Sequence, residues 1–126
     1  MKEDESVILV GLTRHPKAVE LTKRLRAGGL QIIEVPTPED LPGILRRFHR
    51  VAVVVYSPNR DGTARETVEA VRRSIRGAPV VVLVDHSDFS DYYELMSAGA
   101  LEYYALSESP DVIERGVDWA VRTHAA

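Results

Sequence analysis

Cysteine is absent from this chain of 126 residues. Disulfides, thiolate metal sites and cysteine nucleophiles are therefore excluded. Long apolar runs are missing too: the longest are about five residues, against the roughly 20 that a membrane-spanning helix needs. Neither sign of charge dominates, since 16 Lys and Arg against 19 Asp and Glu leave a net charge of −3. That balance gives no global attraction to nucleic acid or to an anionic membrane. Residues Met1 to Ser6 are charged and acidic, unlike a signal peptide, and a cytoplasmic protein is expected. No GxxxxGK[ST] is present, and no GxGxxG follows the first apolar run. The segment Gly11-Leu12-Thr13-Arg14-His15 found there is too poor in glycine to cradle a phosphate or flavin well.

What is present is an alternation. Apolar, β-branched runs recur at Val7–Val10, Leu30–Val35, Val51–Val55, Val80–Val84 and Leu101–Leu106. The first, third and fourth are apolar at every position, as strands buried on both faces are. The second and fifth carry Gln31, Glu34 and Glu102 and fit the sheet edges. Between and after them lie helical patterns over His15–Ala27, Pro38–His49, Thr63–Arg76, Ser90–Ala98 and Pro110–Thr123. Thr37 and Ser109 stand as N-caps, each before a proline at the first helical position. Gly28, Gly29 and Gly77 end helices, and Pro42 sits near the start of the second helix, where it is tolerated.

The reading is one domain over residues 1–126: a three-layer, flavodoxin-like (βα)5 fold with a five-stranded parallel sheet in the order 2-1-3-4-5. In such a sheet ligands bind at the carboxyl ends of the strands, near the point where strand order reverses. The loops there are Gly11–His15, Tyr56–Gly62, Asp85–Ser90 and Leu106–Ser109.

Two of these features carry a resemblance. Pro58-Asn59-Arg60-Asp61-Gly62, directly after the third strand, resembles the Pro-x-x-Asp-Gly loop of response-regulator receiver domains. Ala98-Gly99-Ala100 before the fifth strand is similar to their Ala-Gly-Ala segment, and Pro79 opens the fourth strand in the same way. With matching element spacing, the resemblance covers nearly the whole chain. It implies a chemistry in which an aspartate at the end of the third strand accepts a phosphoryl group. Two acids after the first strand hold Mg²⁺, and a lysine after the fifth contacts the phosphoryl oxygens. A hydroxyl residue after the fourth strand and an aromatic in the fifth complete the switch.

Carried over residue by residue, the acceptor position falls on Val54, the acid pair on Gly11 and Leu12, the hydroxyl on Asp85 and the lysine on Leu106; only the aromatic matches, as Tyr103. A shift of register changes little. No Asp or Glu lies between Asp40 and Asp61, none lies between Glu5 and Glu20, and the last lysine is Lys23. No ammonium is therefore expected near the fifth strand. A degenerate, pseudo-receiver member of the family is expected, with no catalytic residue, metal or cofactor. Asp61 and Asp85 are the displaced carboxylates that a conventional phosphoacceptor would have to use, although Asp61 suits a turn and Asp85 a solvated strand end.

The remaining candidates are few. Arg14, His15 and His86 border the cleft that a small-ligand-binding alternative would use, and with Asp85 the histidines form a metal or acid–base set in outline. Arg46, Arg47 and Arg50, then Arg72, Arg73 and Arg76, end helices and complement their dipoles, which speaks against nucleic-acid binding. Tyr92, Tyr93, Tyr103, Tyr104 and Trp119 gather on the fourth helix, fifth strand and fifth helix, the face that the resemblance assigns to docking and dimerisation. Tyr103 and Tyr104, adjacent in a strand, face opposite sides, so one is expected inside and one outside. The expected role is a stand-alone module of bacterial-type two-component (phosphorelay) signalling. It would work by protein contact, with a histidine kinase, another receiver or a second copy as partner, and with no output domain after the last helix.

Overall fold

In the computed structural model, residues 5–12, 15–48, 50–58, 61–74 and 78–124 are described. Strands β1 (Glu5–Val10), β3 (Arg50–Tyr56) and β4 (Val80–Val84) are buried beyond their first residues. β2 (Gln31–Val35) and β5 (Glu102–Ala105) keep partly exposed positions. This division sets the topology: the sheet runs β2-β1-β3-β4-β5, every neighbouring pair is parallel, and the two mixed strands are the edges. Order and edge assignment match the sequence reading.

Helices cover both faces, which is why the central strands have no solvent side to carry polar groups. On one face α1 (Ala18–Ala27) and α5 (Pro110–Trp119) bring Leu21, Leu25, Ile113 and Val117 onto Val7, Leu9, Val54 and Leu83. On the other, α2 (Leu41–Leu45), α3 (Thr63–Arg72) and α4 (Phe89–Ala98) bring Leu41, Leu45, Val68 and Leu95 onto Ile8, Val53, Val55 and Val82. Each of these large side chains gains roughly 1.5–3 kcal/mol from leaving water. No helix among the described residues is long and apolar enough to cross a membrane.

Helix ends follow local chemistry. Asp88 caps α4, its side chain accepting from the Asp91 amide at 3.0 Å. Ser109 caps α5 as expected, accepting from the Asp111 amide at 3.2 Å. Each such cap stabilises by about 1 kcal/mol. Thr37 is extended ahead of Pro38, as a cap position should be, but its side chain makes no capping bond. The second helix is shorter than the pattern over 38–49 predicts. A 3₁₀ turn (Pro38–Asp40) leads into the five residues of α2; Pro42, which has no amide to donate back to Pro38, keeps regular α-helical bonding from beginning earlier. His49 lies outside the described residues.

Three other boundaries differ. α1 begins at Ala18 rather than His15, since Pro16 and Lys17 form a turn. α5 passes at Ala120 into a wider π turn that runs to His124. Arg50, expected at the end of the second helix, opens β3 instead; it lies 3.8 Å from Glu5 and donates to the Arg122 carbonyl at 2.6 Å. Arg76 and Gly77, expected to end the third helix, lie outside the described residues.

Gly116 of α5 shows how closely the layers approach. It is buried beneath the Tyr104 ring, and a Cβ placed there would collide with the Tyr104 hydroxyl and ring carbons. Gly43 by contrast has nothing within 4 Å of a Cβ position. Gly116→Ala should therefore cost about 1–3 kcal/mol of unfolding free energy, whereas Gly43→Ala should be neutral or stabilising by up to about 1 kcal/mol. Urea unfolding of the two variants checks this; equal midpoints would contradict the packing.

Candidate functional site

The strand tips carry an apolar plug where the resemblance would put phosphoryl chemistry. Val54 has 0 % of its surface exposed and lies between Leu9 and Val81 in register. Leu12 and Leu106 are buried in the same continuous cluster. Gly11 is buried with φ +73°, and its amide donates to the Val35 carbonyl at 3.3 Å. Hydrocarbon and a backbone turn thus occupy four of the six positions carried over. They offer neither a nucleophilic oxygen nor a hard-cation ligand.

Asp85, the fifth position, is half-buried and engaged. The Tyr56 hydroxyl donates to its Oδ1 at 2.8 Å. His15 Nε2 stands 3.6 Å from the same oxygen. His15 Nδ1 accepts from the Lys17 amide at 3.0 Å, which leaves the ring proton of the neutral form on Nε2, facing Asp85. The His15 and Tyr56 rings meet edge-on, 5.1 Å apart. Asp85 stands at the strand end as expected but is only partly exposed and is engaged: its bond from Tyr56 ties the ends of β3 and β4, and His15 from the loop after β1 lies beside it.

Asp61 works in a separate network. It accepts from Ser57 Oγ at 2.6 Å, from the Thr63 amide at 2.9 Å and from Thr63 Oγ1 at 3.0 Å. Ser57 Oγ in turn accepts from the Ala64 amide at 3.2 Å. The two side chains supply the partners that the first amides of α3 lack, so Asp61 is the turn residue its Pro-x-x-Asp-Gly setting predicts. Among the described residues no group of three His, Asp or Glu is placed to hold a metal ion. His86 is exposed on the loop after β4. Arg14 lies outside the described residues.

One expectation is overturned here. Although no lysine follows β5 in the sequence, an ammonium does stand at its end: Lys17 Nζ donates to the Leu106 carbonyl at 2.7 Å. It arrives from the turn before α1, across the sheet crest, a route that sequence distance from β5 conceals. A cavity of about 230 Å³ opens beside it, floored by Leu21, Leu106 and Ile113 and flanked by Glu20 and Glu108. Glu108 is itself occupied, accepting from the Ala105 amide at 2.9 Å.

The aromatic face is also rearranged relative to expectation. Tyr103 and Tyr104 do point to opposite faces of β5, but both are half-buried, Tyr103 against the α4 side and Tyr104 against the α5 side. An edge strand between two helical layers has a core on each side, so neither residue is outside. Tyr92 meets Tyr103 edge-on at 5.5 Å. Trp119 is 43 % exposed on α5. Phe89 was missed in the sequence; it is 79 % exposed and stacks on Tyr93, 6.3 Å away. Their i, i+4 spacing on α4 was the available signal.

Tyr103 is held through its hydroxyl. It donates to Asp91 Oδ2 at 3.0 Å and accepts from the Asp88 amide at 3.3 Å. Burial first, and then the bond to the Asp91 carboxylate, push the phenol up from 10.0 to about 12. The folded chain holds this proton more tightly than the unfolded one. Its contribution to stability is therefore complete below about pH 10 and is lost as the pH rises through about 12. In a tyrosinate absorbance titration, Tyr103→Phe should remove a component titrating near pH 12 and flatten the stability loss in that window; an unchanged titration would contradict the bond.

No protein-family model matches the sequence, and no curated protein does. Solved structures do match. A signal receiver domain from Vibrio parahaemolyticus is similar over 94% of this chain and 90% of its own, with a TM-score of 0.76 and 13% identity. The receiver domain of a sensor histidine kinase from Pseudomonas aeruginosa, with magnesium coordinated in its active-site cleft, is similar over 93% and 97%, with a TM-score of 0.71 and 16% identity. A response regulator from Thermotoga maritima is similar over 94% and 98%, with a TM-score of 0.70 and 21% identity. With its five parallel strands in the order β2-β1-β3-β4-β5, the chain has the receiver fold of response regulators.

Proposed function

We propose that this chain is a receiver-type module of two-component signalling that is not phosphorylated on aspartate and acts by protein–protein contact. The observation that carries the reading is the plug at the strand crest: Val54, Leu12 and Leu106 form part of one buried apolar cluster. Receiver chemistry needs a carboxylate, a cation and an ammonium converging on one point. Here the carboxylates that remain nearby are taken up by structural bonds, Asp85 by Tyr56 and Asp61 by Ser57 and Thr63. Lys17 is held on the Leu106 carbonyl.

A module without that chemistry has its surface left to work with. The face made by α4, β5 and α5 exposes Tyr92, Tyr93 and Trp119, residues that bind partners well because they bury large area yet keep a polar tip. On this reading the partner is a histidine kinase, another receiver or a second copy, in the cytoplasm, and the module performs no catalysis of its own.

Incubation with acetyl phosphate and Mg²⁺ followed by intact-mass measurement should leave the mass unchanged. A phosphate adduct that disappears in Asp61→Ala or Asp85→Ala would overturn the reading in favour of a displaced acceptor. Restoring the acceptor alone should also fail. Val54→Asp buries a carboxyl among hydrocarbon, and an expected loss of about 3 kcal/mol or more in unfolding free energy should come with no phosphorylation. A Val54→Asp chain that is both stable and phosphorylated would show that the remaining chemistry is intact.

A further inference from the structure

The cavity beside Lys17 has the make-up of a ligand site. Its volume is about 230 Å³. An apolar cavity of roughly 150 Å³ takes up benzene, so this one has room for a bicyclic body. Leu21, Leu106 and Ile113 floor it and are only 5, 6 and 4 % exposed, which makes it a recess and not a flat patch. Pro16 and Pro110 border it, and their restricted backbones set its walls before any ligand arrives. It opens between the turn that follows β1 and the loop that follows β5. Those are carboxyl-end loops, where ligands of doubly wound sheets bind.

The polar groups at the mouth choose the ligand. Lys17 Nζ gives one of its three N–H bonds to the Leu106 carbonyl, and among the described residues it has no carboxylate partner. Donors therefore remain at the rim of a hydrocarbon floor. The carboxylates beside them are engaged: Glu20 accepts from Arg24 at 3.2 Å and Glu108 from the Ala105 amide at 2.9 Å. Arg24 is shared further with Asp111 and Glu114. An anion entering here would meet Glu20 and Glu108, and a cation would meet Lys17. Either ion would also leave water for hydrocarbon, which costs far more for a charge than for a neutral polar group. A neutral molecule with a carbonyl group avoids both penalties: its rings cover the floor and its oxygen accepts from Lys17.

We propose that this cavity binds a small neutral carbonyl compound (a lactone, ketone or amide) with an apolar body of bicyclic size, held through its oxygen by Lys17. Bound there, it bridges α1 and α5 and stabilises their junction by mass action. The site goes beyond the docking reading and does not depend on it.

The test uses the full chain and three probes of similar size: coumarin, its anionic counterpart coumarin-3-carboxylate, and the cation N-methylquinolinium. Methyl NMR shifts report both affinity and place. Coumarin should give saturable shifts at the methyls of Leu21, Leu106 and Ile113, and both ions should bind at least roughly tenfold more weakly. Lys17→Met keeps an apolar stem and removes the donors; it should weaken coumarin roughly three- to tenfold, the worth of a single hydrogen bond. Circular dichroism checks the fold of that variant, and the comparison of the three probes on the unaltered chain stands without it. No saturable shift from coumarin, or shifts that map elsewhere, overturns the proposal. So does either ion binding as tightly as coumarin, and so does an affinity unchanged in folded Lys17→Met.

Discussion

The structure depends on one constraint: three parallel strands are buried on both faces, so nearly every residue in them must be apolar. β1, β3 and β4 meet it with valine, isoleucine, leucine and alanine over Val7–Val10, Val51–Val55 and Val80–Val84, and the buried Ser6 of β1 is satisfied by donating to Gln31 at 3.2 Å. A lone charge on these strands would cost several kcal/mol or would neutralise itself. A receiver that performs phosphoryl transfer accepts that cost at the tip of its third strand and offsets it with a cation and an ammonium. In this chain the tip is closed by Val54, Leu12 and Leu106, and the cost does not arise.

Polar chemistry is consequently displaced to the loops and to the β5 edge, where it holds parts together. Asp85 joins Tyr56 and His15. Asp61 and Ser57 open α3. Asp91, a buried acid, anchors Tyr103. At the opposite end of the sheet Arg122 donates to Asp118, Glu5 and the Gly28 carbonyl, tying the C-terminal turn to the start of β1 and the end of α1. Arg24 ties α1 to α5 through Asp111 and Glu114. The more exposed of these pairs, such as Arg24 with Asp111, each contribute little, about 1 kcal/mol or less. Their role is to fix geometry around a core that hydrocarbon stabilises.

Most of the fold was legible because burial on two faces writes itself as unbroken apolar runs. The runs at Val7–Val10, Val51–Val55 and Val80–Val84 identified the central strands, and Gln31, Glu34 and Glu102 the edges. The second helix was less legible. Apolar spacing continues through Phe48, but regular helix is confined to Leu41–Leu45, behind a 3₁₀ turn and with Pro42 in its first turn. At the strand tips, the missing acids were visible as gaps in the sequence. The contacts that replace them were not, because they cross between loops far apart in the chain. Lys17 reaching the Leu106 carbonyl is such a contact, and so is His15 reaching Asp85. Tyr103 and Tyr104 taught a simpler lesson. Alternation along an edge strand gives direction but not exposure, since both sides can be covered by helices.

The central claim is that the sheet crest is closed to magnesium and to phosphoryl groups. Amide NMR of the full chain titrated with Mg²⁺ and beryllofluoride reads that region directly, through Gly11, Leu12, Val54, Asp85 and Leu106. The account predicts no saturable shifts at these positions at millimolar additive. Saturable shifts concentrated there, showing ion and phosphoryl mimic seated together over β1 and β3, would contradict it.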